Sequence, residues 1–214
     1  YNEPPTTYIY NISPHDALPI SEALAEFLAA HPHIDVDLEE RPSYEIADAV
    51  REGVADAGIV SDAGDLAGLE TLPFRADRLV LVVPRGHALA RRRKLAFHDV
   101  LGRDFVGLSP GSALQEYLAR HAQRFGRRLK LRVRLRGFDA VCRMVEQGVG
   151  VSVIPETAAQ RCRKSMAIEI VRLSDPWALR ELTICTRGLA ELPAHARQLI
   201  AHLRAGAGRL STPP

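Results

Sequence analysis

Cysteine is scarce in this 214-residue chain: Cys142, Cys162 and Cys185 are the only three, none in a CxxC pair and none with a histidine at ligand spacing. That pattern excludes a zinc finger or ribbon and a disulfide framework, so buried, reduced thiols are expected and neither a metal nor another cofactor is. No apolar run approaches the roughly 20 residues of a membrane span, and no signal-peptide core precedes the first periodic helix. Neither a membrane partner nor export is expected, which leaves the cytoplasm as the expected compartment. The eight histidines are dispersed, HExxH and Walker-type runs are missing, and the SPGS turn offers Ser109 and Ser112 no sequence-visible base. Catalysis is therefore not expected, and no residue is singled out as catalytic.

What remains is an ordinary globular composition, with 46% hydrophobic and 25% charged residues. That apolar fraction is too high for a disordered chain and sufficient for a sizeable core. The formal net charge of +2 conceals a lopsided distribution. Residues 1–85 hold 5 Lys/Arg against 16 Asp/Glu, a net of −11, whereas residues 86–214 hold 23 against 10, a net of +13. Such a split points to nucleic-acid or membrane contact by the basic half, or to complementary pairing between halves or between subunits.

The first twenty residues, YNEPPTTYIYNISPHDALPI, combine four prolines with scattered Tyr and Asn. HDALPI within them resembles a translated sequencing adapter, so residues 1–20 read as an atypical N-terminal segment, foreign or disordered, that contributes no strand. Regular patterning begins at Ser21, a candidate N-cap for a helix with Leu24, Phe27 and Leu28 on one face. Ile34, Val36 and Leu38 then alternate with acidic residues as a strand, Ser43 caps a helix facing inward through Ile46, Ala47 and Val50, and AGIV follows as a buried strand. Helix, strand, helix, strand is the signature of a parallel α/β sheet. LVLVVP reads as a further strand, and a second α/β cycle succeeds it. In that cycle the turn SPGS leads into a helix with a capping box of Ser112 and Gln115, and Leu129 to Leu135 alternate with Lys130, Arg132, Arg134 and Arg136.

The succession LAEFLAAHPHIDVDLEE, EIADAVREGVADAGIV, DRLVLVVPRGHALA and FDAVCRMVEQGVGVSVIPE closely resembles the effector-binding domain of LysR-type transcriptional regulators, from Ser21 to Leu203. The resemblance implies an α/β fold of two periplasmic-binding-protein type 2-like subdomains joined by two crossing strands, near residues 83–89 and 182–187. Subdomain I would be residues 21–85 with 188–214, and subdomain II residues 86–187. It further implies a small organic effector in the interlobe cleft and a homodimer or homotetramer. The family's winged helix-turn-helix has no counterpart in this sequence, so promoter DNA would be contacted only through that absent part.

The positions that face the cleft in the family correspond to Ser43, Ser61, Asp62, Ser109, Gly111, Ser112, Phe138 and Asp139. Ser hydroxyls and free N–H groups at helix N-termini suit a carboxylate or other small anion. Asp62 leans the expectation toward an amine-bearing or zwitterionic effector, so the class spans organic acids, amino acids and amines. Each position also has a plainer reading: the serines as caps, Asp62 as a surface turn residue, Phe138 as packing between the subdomains, and the basic strand as a solvated sheet face. The competing function is a solute-binding protein of the same fold serving a transporter.

Overall fold

In the computed structural model, residues 5–11, 18–41, 43–61 and 65–210 are described. In chain order they form β1 (Thr6–Asn11), α1 (Leu18–Ala30), β2 (Asp35–Glu40), α2 (Ser43–Glu52), β3 (Ala57–Ser61) and β4 (Glu70–Pro84). There follow β5 (Lys94–Leu95), β6 (Asp104–Leu108), α3 (Ala113–Arg124), β7 (Lys130–Leu135), α4 (Phe138–Glu146), β8 (Ser152–Pro155), α5 (Glu156–Arg163), β9 (Ile168–Leu173), β10 (Leu179–Thr186) and α6 (Ala194–Leu210). They gather into two compact units, Tyr1–Ala76 with Glu181–Pro214, and Asp77–Arg180.

The first unit is built around β1. This strand pairs in parallel with β2 over its whole length, from Thr6↔Asp35 to Asn11↔Glu40, and with β3 from Ile9↔Ala57 to Asn11↔Ile59. β10 closes the other side of β3 as an antiparallel partner, from Leu182↔Ser61 to Thr186↔Ala57. Thr7, Ile9 and Asn11 are buried while Tyr8 between them is exposed, the period of two that a strand requires. The expectation that residues 1–20 contribute no strand is corrected for residues 6–11, and residues 18–20 begin α1, while residues 1–4 and 12–17 lie outside the described residues. Prolines at 4, 5, 14 and 19 dominate the composition of that stretch and hide the five-residue run TTYIY, whose Thr, Tyr and Ile are all favoured in strands.

Helix α1 likewise starts earlier than expected. It opens at Leu18, so Ser21 lies inside it and does not cap it. Pro19 sits in its first turn, where a missing N–H costs no intrahelical hydrogen bond. Ile20, Ala23 and Phe27 form the buried stripe, with Leu24 and Leu28 half-buried beside it, and α1 packs against α6 closely enough that a methyl on Gly206 would touch Ala23. Ile46, Ala47 and Val50 of α2 are fully buried, as their spacing predicts, and pack over β3. Gly58 permits that approach: a side chain there would collide with Ile46 and press on Cys185 Sγ.

In the second unit the apolar half of β4, Leu79 to Val83, is completely buried and pairs antiparallel with both β8 and β9. β5 adds to β9 in parallel, and a separate parallel pair is formed by β6 and β7. Phe97 and Trp177 meet edge to face at 5.1 Å, His121 stacks on Trp177 at 4.0 Å, and Tyr117 Oη donates to the Trp177 carbonyl. The chain passes between units inside β4 and β10, at Ala76/Asp77 and Arg180/Glu181. The sequence expectation of crossings at 83–89 and 182–187, with subdomain limits at 85/86 and 187/188, differs because it ended each segment where a strand ends. β4 is 15 residues long and belongs to the first unit by its polar start and to the second by its apolar end.

Asp77 and Arg180, the terminal residues of the second unit, form an ion pair that is 4% and 2% exposed. Arg180 also lies over the Tyr117 ring, 5.8 Å from its centroid. Two charges so far from water are tolerated only because each has the other.

Substituting Ile9→Ala, which empties a fully packed site in the middle of β1, is expected to lower unfolding free energy by about 2 to 5 kcal/mol. Tyr8→Ala at the exposed neighbour should change it by under about 1 kcal/mol. Urea unfolding of both variants checks this; equal effects would show that β1 is not packed as described.

Candidate functional site

Parallel strands must be joined by crossovers, and each crossover helix begins beyond the carboxyl end of the strand it follows. Ligands of open α/β sheets settle at those ends, where N–H groups of the helix start are unpaired. The expected site residues are distributed over two such places, one in each unit.

In the first unit, α2 begins at Ser43 directly after β2, and Ser61 is the last residue of β3. The structure joins them: Ser43 Oγ donates to the Ser61 carbonyl at 3.0 Å. The hydroxyl therefore ties the start of α2 to the end of β3 and keeps its oxygen lone pairs at the helix N-terminus. Ser61 is buried, and Asp62 lies outside the described residues. Sequence reasoning missed Asn11, the last residue of β1, which is buried between Glu40 of β2 and Ile59 of β3 and whose carbonyl accepts from Arg41 N at 2.9 Å. A polar residue at the carboxyl end of the central parallel strand was findable from the alternation of TTYIYN, had that stretch been read as a strand.

In the second unit, the ends of β6 and β7 lie side by side, with Leu108 opposite Leu135. Ser109 N donates to the Leu135 carbonyl at 3.0 Å, and Ser112 N donates to the Ser109 carbonyl at 3.2 Å, which folds the SPGS turn tightly. Gly111 stands at φ +84°, a region closed to most side chains, although a Cβ there would meet nothing; its role is conformational. Ser112 caps α3 by accepting from Gln115 N at 3.5 Å. The expected capping box is only half formed. Gln115 Oε1 accepts from Leu108 N at 3.0 Å, above Gly107, where a side chain would displace it. The carboxamide thus pins the helix start to the strand end and does not return to Ser112.

Phe138 and Asp139 open α4 beyond β7, after Gly137 at φ +81°. The Phe138 ring is buried in the hydrophobic core of the second unit. Asp139 is 68% exposed at its side chain, and its carboxylate is held by Arg161 Nη2 at 3.1 Å and by the Cys162 thiol, which donates at 3.3 Å. The structure therefore brings Ser43 to Ser61, and Ser109, Gly111 and Ser112 to the end of β7, while Phe138 and Asp139 are engaged elsewhere.

The exposed face of β7 is cationic, as its alternation predicts. Two of its charges are answered locally: Lys130 Nζ lies 2.7 Å and Arg132 Nη1 3.7 Å from Asp104. The hydrogen bond from Lys130 holds the Asp104 carboxyl below its ordinary range, and the charges of Lys130 and Arg132 add to this. Among the described residues no group of three or more His, Cys, Asp or Glu is placed to hold a metal ion, and no helix is long and apolar enough to cross a membrane.

The family profile described as LysR substrate binding domain matches residues 15–208. Among curated relatives, an uncharacterized HTH-type transcriptional regulator of Methanocaldococcus jannaschii is 28% identical over 162 residues, covering 74% of this chain and 54% of that protein. The HTH-type transcriptional regulator CysL of Bacillus subtilis is 25% identical over 168 residues, covering 78% and 56%. The chain thus spans about half the length of these relatives. Among solved structures, the Synechocystis CcmR regulatory domain in complex with 2-PG superposes with a TM-score of 0.77 at 19% identity, covering 96% of this chain and 98% of that one. The BenM effector binding domain with its effector benzoate gives a TM-score of 0.71 at 19% identity, covering 98% and 96%. The expected fold, two α/β lobes of the periplasmic-binding-protein type 2-like kind, is the fold of these neighbours. Over residues 15–208, the chain belongs to the LysR substrate-binding-domain family, the effector-binding part of LysR-type transcriptional regulators.

Proposed function

We propose that this chain is the ligand-sensing part of a LysR-type transcriptional regulator that acts in the cytoplasm. It binds a small organic acid, amino acid or amine and passes the binding signal to promoter DNA through a winged helix-turn-helix outside this sequence. The observation that carries the reading is the pair of serine-bearing helix starts at the carboxyl ends of parallel strands, Ser43 with Ser61 after β2 and β3, and Ser109 to Ser112 after β6. Unpaired helix N–H groups and the positive end of the helix dipole favour a carboxylate there. The CcmR regulatory domain was solved in complex with 2-PG and the BenM effector binding domain with its effector benzoate, which supports a small anionic effector as the first class to test. The relatives named above are transcriptional regulators, which favours regulation over catalysis and over service to a transporter.

A response requires that the effector bind one conformational state better than another. A thermal-shift screen of small carboxylates, amino acids and amines tests the proposal, because a ligand of the folded state raises its stability by about 2.7 kcal/mol at a hundred times its Kd. At least one class should raise Tm in a dose-dependent way, and Ser43→Ala or Ser112→Ala should weaken that dose response. No shift from any class would contradict the proposal.

We further propose that the domain assembles as a homodimer or homotetramer in which the acidic unit of one copy faces the basic unit of the next. The first unit carries 7 Lys/Arg against 17 Asp/Glu, a net of −10, and the second 21 against 9, a net of +12. β2, outermost in the sheet of the first unit, exposes Asp35 and Asp37, and β7 exposes Lys130, Arg132 and Arg134. Opposite fields speed encounter and set register more than they add affinity. Sedimentation across a salt series should show association weakening as ionic strength rises; an affinity indifferent to salt would contradict the electrostatic part.

A further inference from the structure

Two of the three cysteines are brought together by the packing of α4 against α5. Cys142 lies one turn after Asp139 on α4, so the two side chains share a face of that helix. Cys162, near the end of α5, donates from Sγ to Asp139 Oδ1 at 3.3 Å, which sets its sulfur beside that face and within hydrogen-bonding reach of the Cys142 thiol. Both residues are buried, at 0% and 1% exposure, yet the Asp139–Arg161 ion pair directly over Cys162 is at the surface. The pair lies one side-chain layer below solvent. Cys185 is elsewhere, on β10 of the first unit against Gly58.

We propose that Cys142 and Cys162 are a peroxide-oxidisable dithiol that closes an intramolecular disulfide between α4 and α5. The two thiols are unequal. A hydrogen bond from Cys142 holds the Cys162 thiol below its ordinary range, with Arg161 adding to this against burial and Asp139. Cys142 is pushed up by the same bond and by burial. In the proposed step Cys162, whose thiol is the lowered one of the two, supplies the thiolate that attacks. Cys162 Sγ attacks one peroxide oxygen and the O–O bond breaks. Hydroxide leaves, takes a proton and becomes water, and Cys162 carries the sulfenic OH. Cys142 Sγ then attacks the Cys162 sulfur, the S–S bond forms, and the departing hydroxide takes the Cys142 proton to give a second water. Two thiols lose two hydrogens and two electrons, and one hydroperoxide is reduced to two waters. Oxidation also removes the Cys162 hydrogen bond from Asp139 at the start of α4. The proposal does not rest on the effector reading.

The test uses the native chain with hydrogen peroxide as the probe, alkylation of the remaining thiols after unfolding, and peptide mass mapping. Cys185 is the internal reference, since burial pushes its thiol up to about 11. A Cys142–Cys162 cross-link should appear roughly tenfold or more faster than any oxidation of Cys185, with a loss of two hydrogens, and dithiothreitol should reverse it. In Cys142→Ser, Cys162 should stop at a sulfenic acid trapped by dimedone; in Cys162→Ser, Cys142 should stay unmodified. Comparable oxidation of all three thiols, linkage through Cys185, or oxidation only after urea unfolding would overturn the proposal, and the comparison with Cys185 in the unmutated chain decides even if a variant does not fold.

Discussion

The parallel pairing of β1 with β2 on one side and β3 on the other is the constraint on which the first unit depends. Without it β2 has no partner and β3 keeps only β10. The pairing register also sets the candidate site. Because Asn11 is level with Glu40 and with Ile59, the carboxyl ends of β1 and β2 finish together two residues short of the end of β3, and the Ser43 hydroxyl reaches the Ser61 carbonyl. A slip of two residues along β1 would preserve the buried face but separate α2 from the end of β3. The second unit uses the same device on a smaller scale. The β6–β7 pairing places Ser109 beneath the last carbonyl of β7, and the Gln115 carboxamide anchors α3 to the strand it follows.

Charge is organised at two levels. Inside the second unit, Asp77 and Arg180 bury full charges where the chain enters and leaves, an arrangement that is costly to break and of small net value compared with an apolar pair. At the surface the charges are segregated by unit, and ion pairs such as Lys130–Asp104 and Asp139–Arg161 are local and partly exposed, so each adds little stability. Their value lies in shaping surfaces and in holding Asp139 where it meets Cys162.

The legible parts of the fold are those in which one period dominates. The buried stripe of α2, the alternation of β2 and β7 and the apolar half of β4 all read directly from residue order, because burial on one face leaves a repeat of 3.6 or 2. β1 escaped because prolines on both sides of a six-residue strand outweighed its own alternation. The unit boundaries escaped because a backbone can cross from one core to another inside a strand, leaving no break in hydropathy. At the site, the residue pattern placed Ser43 and Ser112 at helix starts and Ser109 and Gly111 in a turn, and the family resemblance added Ser61 and the expectation that these positions face a ligand. Neither could show which partners compete for a side chain: Gln115 takes Leu108 N, Phe138 turns into the core, and Asp139 is claimed by Arg161 and Cys162.

The central claim, that a small ligand is held at these helix starts, is tested most directly by amide hydrogen exchange with and without a ligand that raises Tm. Added protection is expected at residues 43–46, at residues 109–115 or at both, whose amides form the starts of α2 and α3. Protection confined to other segments, or spread evenly over the chain with no excess at either, would contradict the claim.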